Sequence, residues 1–247
     1  MKISIITVTL NSEKTLRDTI ESIQSQTYKD IEYIIIDGKS TDNTLSIVKE
    51  YDMVVSQVIS ETDSGLYDAM NKGLKMATGE VIGILNSDDF YSHNKVLEKI
   101  AQKIKETSCD VLYADINYVD PNNPTKIVRQ WISQEFGPNY FEKGYVPAHP
   151  TVFIKKKLVK KYTYNLNFKL AADYDWLLRL FSDSKVTIYY FHGAIINMRL
   201  GGVTSKGWFN ILKGNLEITR SWWINKRKIP LKTLLINRPR IKLKQFV

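Results

Sequence analysis

In the stretch GILNSDDF, Gly83 to Phe90, an apolar segment runs straight into two adjacent carboxylates, Asp88 and Asp89. Like charges side by side repel, so either they cap the next helix or something positive sits between them. A hard divalent cation takes oxygen ligands and bridges carboxylates to substrate phosphates, which makes Mn²⁺ or Mg²⁺ the chemistry this pair invites. Three other polar clusters follow apolar runs in the same way: Thr9-Leu10-Asn11, Asp37-Gly38-Lys39-Ser40 and Glu61-Thr62-Asp63. Asn86 and Ser87 lead into the fourth. Asp173, in AADYDWLLRL (171–180), reads on its own as a helix cap. Asp175, two residues on, does not share its helical face; it reads as structural, or as an acid favoured at a helix start by the dipole. Asp68, Asn71 and Lys72 fall at i, i+3 and i+4, so one helical face can present all three. Lys72 reads equally as a phosphate contact or a solvated lysine. His149, in PAHPT, is held between prolines that restrict the backbone. His93 and His192 have no such setting.

The elements that must position these residues alternate through the first half. Strands are expected at 2–10, 31–37, 54–60 and 80–85, with helices between and after them at about 12–27, 44–51, 67–77 and 95–105. Asn11 or Ser12 is the expected N-cap of the first helix, with Leu16, Ile20 and Ile23 on its apolar face. This order predicts an α/β fold with a mostly parallel, doubly wound sheet flanked by helices. In such sheets ligands bind outside the carboxyl ends of the strands, where the four polar clusters fall. The second half is less regular. Strands are expected at 110–115 and 126–131 around a DPNNPT turn, a proline-rich loop at 137–151, and a helix from about 173 to 182 between further strands.

The chain has 247 residues, 43% hydrophobic and 25% charged, as in an ordinary soluble domain with or without an appendage. Its single cysteine, Cys109, excludes a disulfide framework. MKISIITVTLN reads as a first strand rather than a signal peptide, and no apolar run approaches the roughly 20 residues of a membrane span. A cytoplasmic protein is expected. The net charge of +9 is uneven: residues 206–247 hold 11 Lys and Arg against one acid, Glu217, and leave the body near neutral. That argues against nucleic acid as partner. In the tail, apolar positions 208, 211, 212, 216 and 223 follow helical spacing, Pro230 ends the helix, and Leu231, Leu234 and Leu235 start a second. Trp with Lys and Arg on amphipathic helices suits a membrane surface. The alternative is packing on the domain itself or on a twin subunit in a homodimer.

ISIITVTLNSEKTLRDTIESIQSQTYKDIEYIIIDGKSTDNT resembles the N-terminal half of the family 2 glycosyltransferases, which have the Rossmann-like GT-A fold. DSGLYDAMNKGLKMATGEVIGILNSDD (63–89) is similar to the segment leading into their metal-binding Asp-x-Asp. AADYDWLLRL resembles the motif that supplies their base, and RLGGVTS (199–205) a glycine signature of capsule and O-antigen members. The resemblance covers about 1–205, with a nucleotide-binding half to about 115, an acceptor half at 116–205, and a basic extension at 206–247. It implies an inverting, metal-dependent enzyme that moves one sugar from a nucleotide diphosphate sugar, a UDP-sugar first, to a hydroxyl of a glycan acceptor on a lipid carrier. Such an enzyme makes cell-surface polysaccharide at the inner face of the membrane. Thr7, Thr9, Asn11 and Asp37 would line the nucleoside pocket, and Asp68, Asn71, Lys72, Asn86, Ser87 and Arg199 the rest of the donor site. Asp88 matches the second carboxylate of Asp-x-Asp, with Asp89 beside it and Asn86 where the first should stand. Asp173 matches the base, and His149 falls on the acceptor or metal side. The absence of Gln-x-x-Arg-Trp favours single over processive transfer. Two other readings compete. A nucleotidylyltransferase wants a glycine-rich phosphate loop that TVTLNSEKT lacks, and no Gly-x-Gly-x-x-Gly follows any strand. A non-catalytic basic module binding membrane or nucleic acid would leave Asp88 and Asp173 replaceable.

Overall fold

The computed structural model describes residues 1–201 and 208–243. β1 (Ile3–Thr9) is buried at every position and β2 (Ile31–Asp37) at all but its first, as β-branched strands covered on both faces must be. Helices α1 (Leu16–Gln24) and α2 (Thr44–Glu50), strand β3 (Gln57–Ser60), α3 (Leu66–Met76) and β4 (Val81–Ile84) complete the regular half. Then come β5 (Asp89–Tyr91), α4 (Val96–Thr107), β6 (Val111–Asp120), β7 (Asn123–Trp131), β8 (Phe153–Lys155) and the short α5 (Lys156–Val159). The chain ends with α6 (Ala172–Phe181), β9 (Ile188–Arg199), α7 (Trp208–Ile224) and α8 (Arg238–Leu243).

Among the described residues the strands form one sheet in the order β3-β2-β1-β4-β8-β6-β9-β5, with β7 paired to β6. β1 to β4 are mutually parallel. β8 runs antiparallel to both β4 and β6, so β6 and its parallel partner β9 share the direction of the first four. All six therefore end on one edge. The antiparallel β5 and β8 begin there.

Alternation along the strands sorts the core into two layers. Ile6, Val8, Ile34 and Ile36 pack with α3 and α6, whereas Ile3, Ile5, Tyr33 and Ile35 pack with α1 and α4. Gly73 lets α3 lie close on β1, for a Cβ there would come 2.4 Å from Ile6 Cγ2. The β6–β7 hairpin is tighter than the sequence suggests, with Pro124 inside β7. β7 pairs only with β6, and an edge strand tolerates a missing N–H.

α7 shows two faces. Glu217, Ile218, Ser221 and Trp222 are buried, while Ile211, Leu212, Leu216 and Trp223 are exposed. The apolar stripe expected at 211, 212, 216 and 223 thus points outward, and a mixed polar face packs inward on α6. No helix among the described residues is long and apolar enough to cross a membrane. The Gly202–Ser205 part of the glycine signature and the side chains of Trp208 and Leu235 lie outside the described residues.

Candidate active site

The carboxyl edge is built from turns that tie strand ends together. Thr9 and Asp37 are register partners. Asp37 is fully buried; it accepts from Ser40 N (3.0 Å), Ser40 Oγ (2.5 Å) and Ser60 Oγ (2.6 Å), joining the ends of β2 and β3. Gly38 follows because a Cβ there would sit 2.9 Å from Asp63 Oδ2. Asn11, in the left-handed region at φ 51°, accepts from Thr41 N at 2.9 Å, and its own N–H donates to Ser40 Oγ. Neither Asn11 nor Ser12 caps α1: Thr15 holds the N-cap, and Ser12 Oγ pairs with Ser87 Oγ at 2.9 Å. Their side chains are spent on fastening the edge. Thr9 Oγ1 is buried with no protein partner. Thr7 does not reach the edge. It is fully buried and accepts from Tyr33 OH at 3.1 Å, because β1 two residues before its end still lies inside the core.

Asp88 and Asp89 part company at the start of β5. Asp89 is fully buried; Asn86 Nδ2 donates to its Oδ2 at 2.8 Å while its Oδ1 has no partner. Burial, then the neighbouring Asp88 charge, push its carboxyl well above the usual range. Asn86 therefore does what an aspartate could not, since a second carboxylate would repel Asp89. Asp88 is half-buried at the mouth, its carboxyl raised by burial. Arg199 is drawn to the same turn. Its Nη1 donates to the Asp88 carbonyl at 2.7 Å, its Nη2 pairs with Asp18, and the guanidinium lies 5.0 Å from the Phe90 ring centre. Instead of standing open for a diphosphate, Arg199 clamps the Asp88 turn.

No three His, Cys, Asp or Glu side chains converge on one point among the described residues. Mg²⁺-like cations are held through one or two carboxylates and substrate phosphates rather than by a protein cage. Asp88 is the carboxylate that would hold such a cation, and Asp89 Oδ1, buried without a protein partner, is a second oxygen on the same turn.

Asp173 stands in the first turn of α6, where Tyr174 N donates to its Oδ1 at 2.8 Å. Tyr67 OH, from the first turn of α3, donates to the same oxygen at 3.2 Å. Since α3 starts just past the end of β3, this bond fixes Asp173 on the sheet edge that carries Asp88. Burial and the Asp173 charge push Tyr67 upward, so it stays a donor. His149 precedes β8, on the same edge, and pairs through Nε2 with Tyr164 OH. Burial lowers its pKa against the opposing pull of Asp173.

Of the three residues expected on one face of α3, Asp68 and Lys72 pair with each other and Asn71 turns to Tyr164. Asn71 is a clasp, donating to Tyr164 O (2.9 Å) and accepting from Tyr164 N (2.8 Å), so both its polar atoms are occupied. Lys72 meets Glu61 at 2.8 Å and Asp68 at 3.7 Å, and Asp68 also accepts from Ser64 N. These two hold the loop between β3 and α3. Asp175 is buried and bound by Arg179, Ser221 and Asn225, a structural acid. The residues sequence reasoning missed are Tyr67, Tyr164 and Ser12. Tyr67 lies inside DSGLYDAMNKG, and only the fold brings it to Asp173, 106 residues away.

The family model for glycosyl transferase family 2 matches residues 4–166. A PGL/p-HBAD biosynthesis glycosyltransferase of Mycobacterium tuberculosis is 30% identical over 208 residues, 82% of this chain and 78% of that protein. An uncharacterized glycosyltransferase of Methanocaldococcus jannaschii is 28% identical over 196 residues, covering 75% of this chain and 67% of its own. Among solved structures, S. aureus TarS in complex with UDP-GlcNAc superposes over 99% of this chain and 73% of its own, with TM-score 0.71 and 21% identity. A mannosyltransferase of Pyrobaculum calidifontis in complex with GDP-Man and Mn²⁺ gives TM-score 0.66 at 14% identity, over 98% of this chain and 73% of that one. The sequence resemblance to capsule and O-antigen members drew the circle too narrowly, since these relatives carry other names. With the strand edge and Asp88 inside the matched region, the chain belongs to glycosyl transferase family 2 and has the GT-A fold.

Proposed function

We propose that the protein transfers one sugar from a UDP-sugar, with inversion, to a hydroxyl of a lipid-linked glycan acceptor. The observation that carries this reading is Asp173, tied to Tyr67 on the sheet edge that presents Asp88 and the β1–β3 turns. The nucleoside meets the edge built by Thr9, Asn11, Asp37, Ser40 and Asp63. Its diphosphate reaches Asp88, the residue that would hold a divalent cation; bound there, the cation would neutralise charge on the leaving group. Asp173 takes the acceptor proton as the hydroxyl attacks the anomeric carbon from the opposite side. His149 and Tyr164 border the acceptor side. UDP as nucleotide is supported by the TarS complex, and the metal by the Mn²⁺ complex of the mannosyltransferase. The outward apolar stripe of α7, interleaved with Lys213 and Arg220, is the surface that meets an anionic membrane and brings the enzyme to its acceptor.

The test is UDP release from a panel of UDP-sugars with hydroxylated acceptors, with the product anomer read by NMR. The Asp173→Asn protein should bind UDP normally and lose turnover by about 10²–10⁴-fold, the usual worth of a general base. Unchanged turnover in that protein, or a retained anomer, would sink the proposal.

A further inference from the structure

Helix α6 carries Asp173 in its first turn yet has no cap of its own, since Ala171 holds the N-cap position and offers no side-chain acceptor. The amides ahead of it converge on a carboxylate from the C-terminal extension. Glu217 Oε2 accepts from Lys169 N (3.0 Å), Leu170 N (2.8 Å) and Ala171 N (3.0 Å), and Oε1 from Lys169 N at 3.1 Å. Glu217 is buried, and it is the sole acid among residues 206–247. Burying a carboxylate is costly unless its oxygens are bonded. Three consecutive N–H groups and the positive end of a helix meet that need. The rest of α7 fixes where Glu217 stands. Ser221 Oγ and Asn225 Nδ2 each donate to Asp175 Oδ1 at 2.9 Å, and Trp222 Nε1 donates to Tyr174 OH at 2.9 Å. The two residues that follow Asp173 are thereby gripped by α7, and the three amides at 169–171 by Glu217.

We infer that Glu217 is a positioning residue for transfer: through the 169–171 amides it sets where α6 begins, and so where Asp173 points. The inference rests on Asp173 as the base. It makes the first helix of the basic extension a working part of the acceptor side. A mixed polar face such as Glu217 and Ser221, continued by Asn225 just past the helix end, on an otherwise cationic, apolar helix is the sequence trace of that role.

The experiment is steady-state kinetics with the UDP-sugar found active, together with calorimetric UDP affinity. It uses the full chain and the variants Glu217→Ala, Glu217→Gln, Ser221→Ala and Asp173→Asn. A misplaced catalytic group costs on the order of 10–100-fold in rate, so Glu217→Ala should lose that much kcat with UDP affinity and donor KM within about twofold. Glu217→Gln keeps a carbonyl oxygen for the amides and should recover part of the loss. Ser221→Ala loosens the hold on Asp175 without touching the amides and should lose less kcat than Glu217→Ala. Wild-type kcat in Glu217→Ala, an equal fall in its UDP affinity, or an equal loss in Ser221→Ala would each overturn the inference. Should Glu217→Ala fail to fold, Glu217→Gln decides alone: reduced kcat at unchanged UDP affinity supports it, and wild-type kcat overturns it. An active Asp173→Asn protein would instead remove the base assignment, whatever the Glu217 variants do.

Discussion

Replacing Arg199 with methionine keeps much of the side-chain volume and removes the clamp on the Asp88 turn. Three contacts are lost, of unequal weight. The bond from Nη1 to the Asp88 carbonyl, at 2.7 Å from a buried guanidinium, is charge-assisted and worth about 1.5–3 kcal/mol. The guanidinium over Phe90 adds about 0.5–2 kcal/mol. The pair with Asp18 contributes little, because that carboxylate is half exposed and screened. The loss is about 3 kcal/mol, which for a chain of this size lowers Tm by roughly 6–12 °C. Thermal unfolding followed by circular dichroism reads that term. The functional term is separate: with its carbonyl released, Asp88 no longer presents its carboxylate in a fixed place. UDP affinity measured by calorimetry with Mn²⁺ should fall about tenfold, equivalent to about 1.4 kcal/mol, and stay unchanged with EDTA. If UDP affinity falls as far in EDTA, Arg199 touches the nucleotide directly and the clamp reasoning is refuted.

Two more predictions concern regions away from the reacting atoms. Leu216→Ser with Trp223→Ser, both exposed on α7, should weaken sedimentation with phosphatidylglycerol vesicles by tenfold or more, since burying such side chains is worth about 1.5–3 kcal/mol each; unchanged sedimentation would remove α7 as the docking face. Glu32 is buried behind the amino half of β2. Burial pushes its carboxyl up, but bonds from Ser4, from the Thr78 side chain and backbone and from Lys2 outweigh this and hold it at about 2. Its folded value is depressed, so its contribution is present above the ordinary 4.5 and is lost as pH falls toward about 2. The contribution is on the order of 3 kcal/mol. Glu32→Gln should unfold in urea with a shallower acid dependence across that window, and an unchanged slope would contradict the assignment.

The regular half was legible because its strands are continuous β-branched runs and its helices amphipathic, so local pattern and tertiary burial agree. The shared edge of the four polar clusters follows from parallel topology, and the sheet places their backbones as expected. Side-chain duties were less legible. Asn11, Ser12 and Asn71 look like caps or ligand contacts in sequence, yet they spend their hydrogen bonds across loops 30 to 93 residues apart, distances no local pattern reports. Thr7 and Thr9 are two apart and read alike; only the depth at which β1 enters the core separates a buried partner of Tyr33 from an orphaned hydroxyl at the edge. On α7 the apolar spacing was legible, but not its inner face, which is chosen by specific polar bonds to Asp175 and to the 169–171 amides.

The central claim is that the sheet edge ending in Asp88 holds a nucleotide diphosphate through a divalent cation. Calorimetric titration of UDP into the protein with Mn²⁺, with EDTA, and into Asp88→Ala with Mn²⁺ tests it directly. Binding that Mn²⁺ strengthens, and that falls to the EDTA level in Asp88→Ala, is the predicted result. Equal UDP affinity in all three titrations, or none in any, would contradict it.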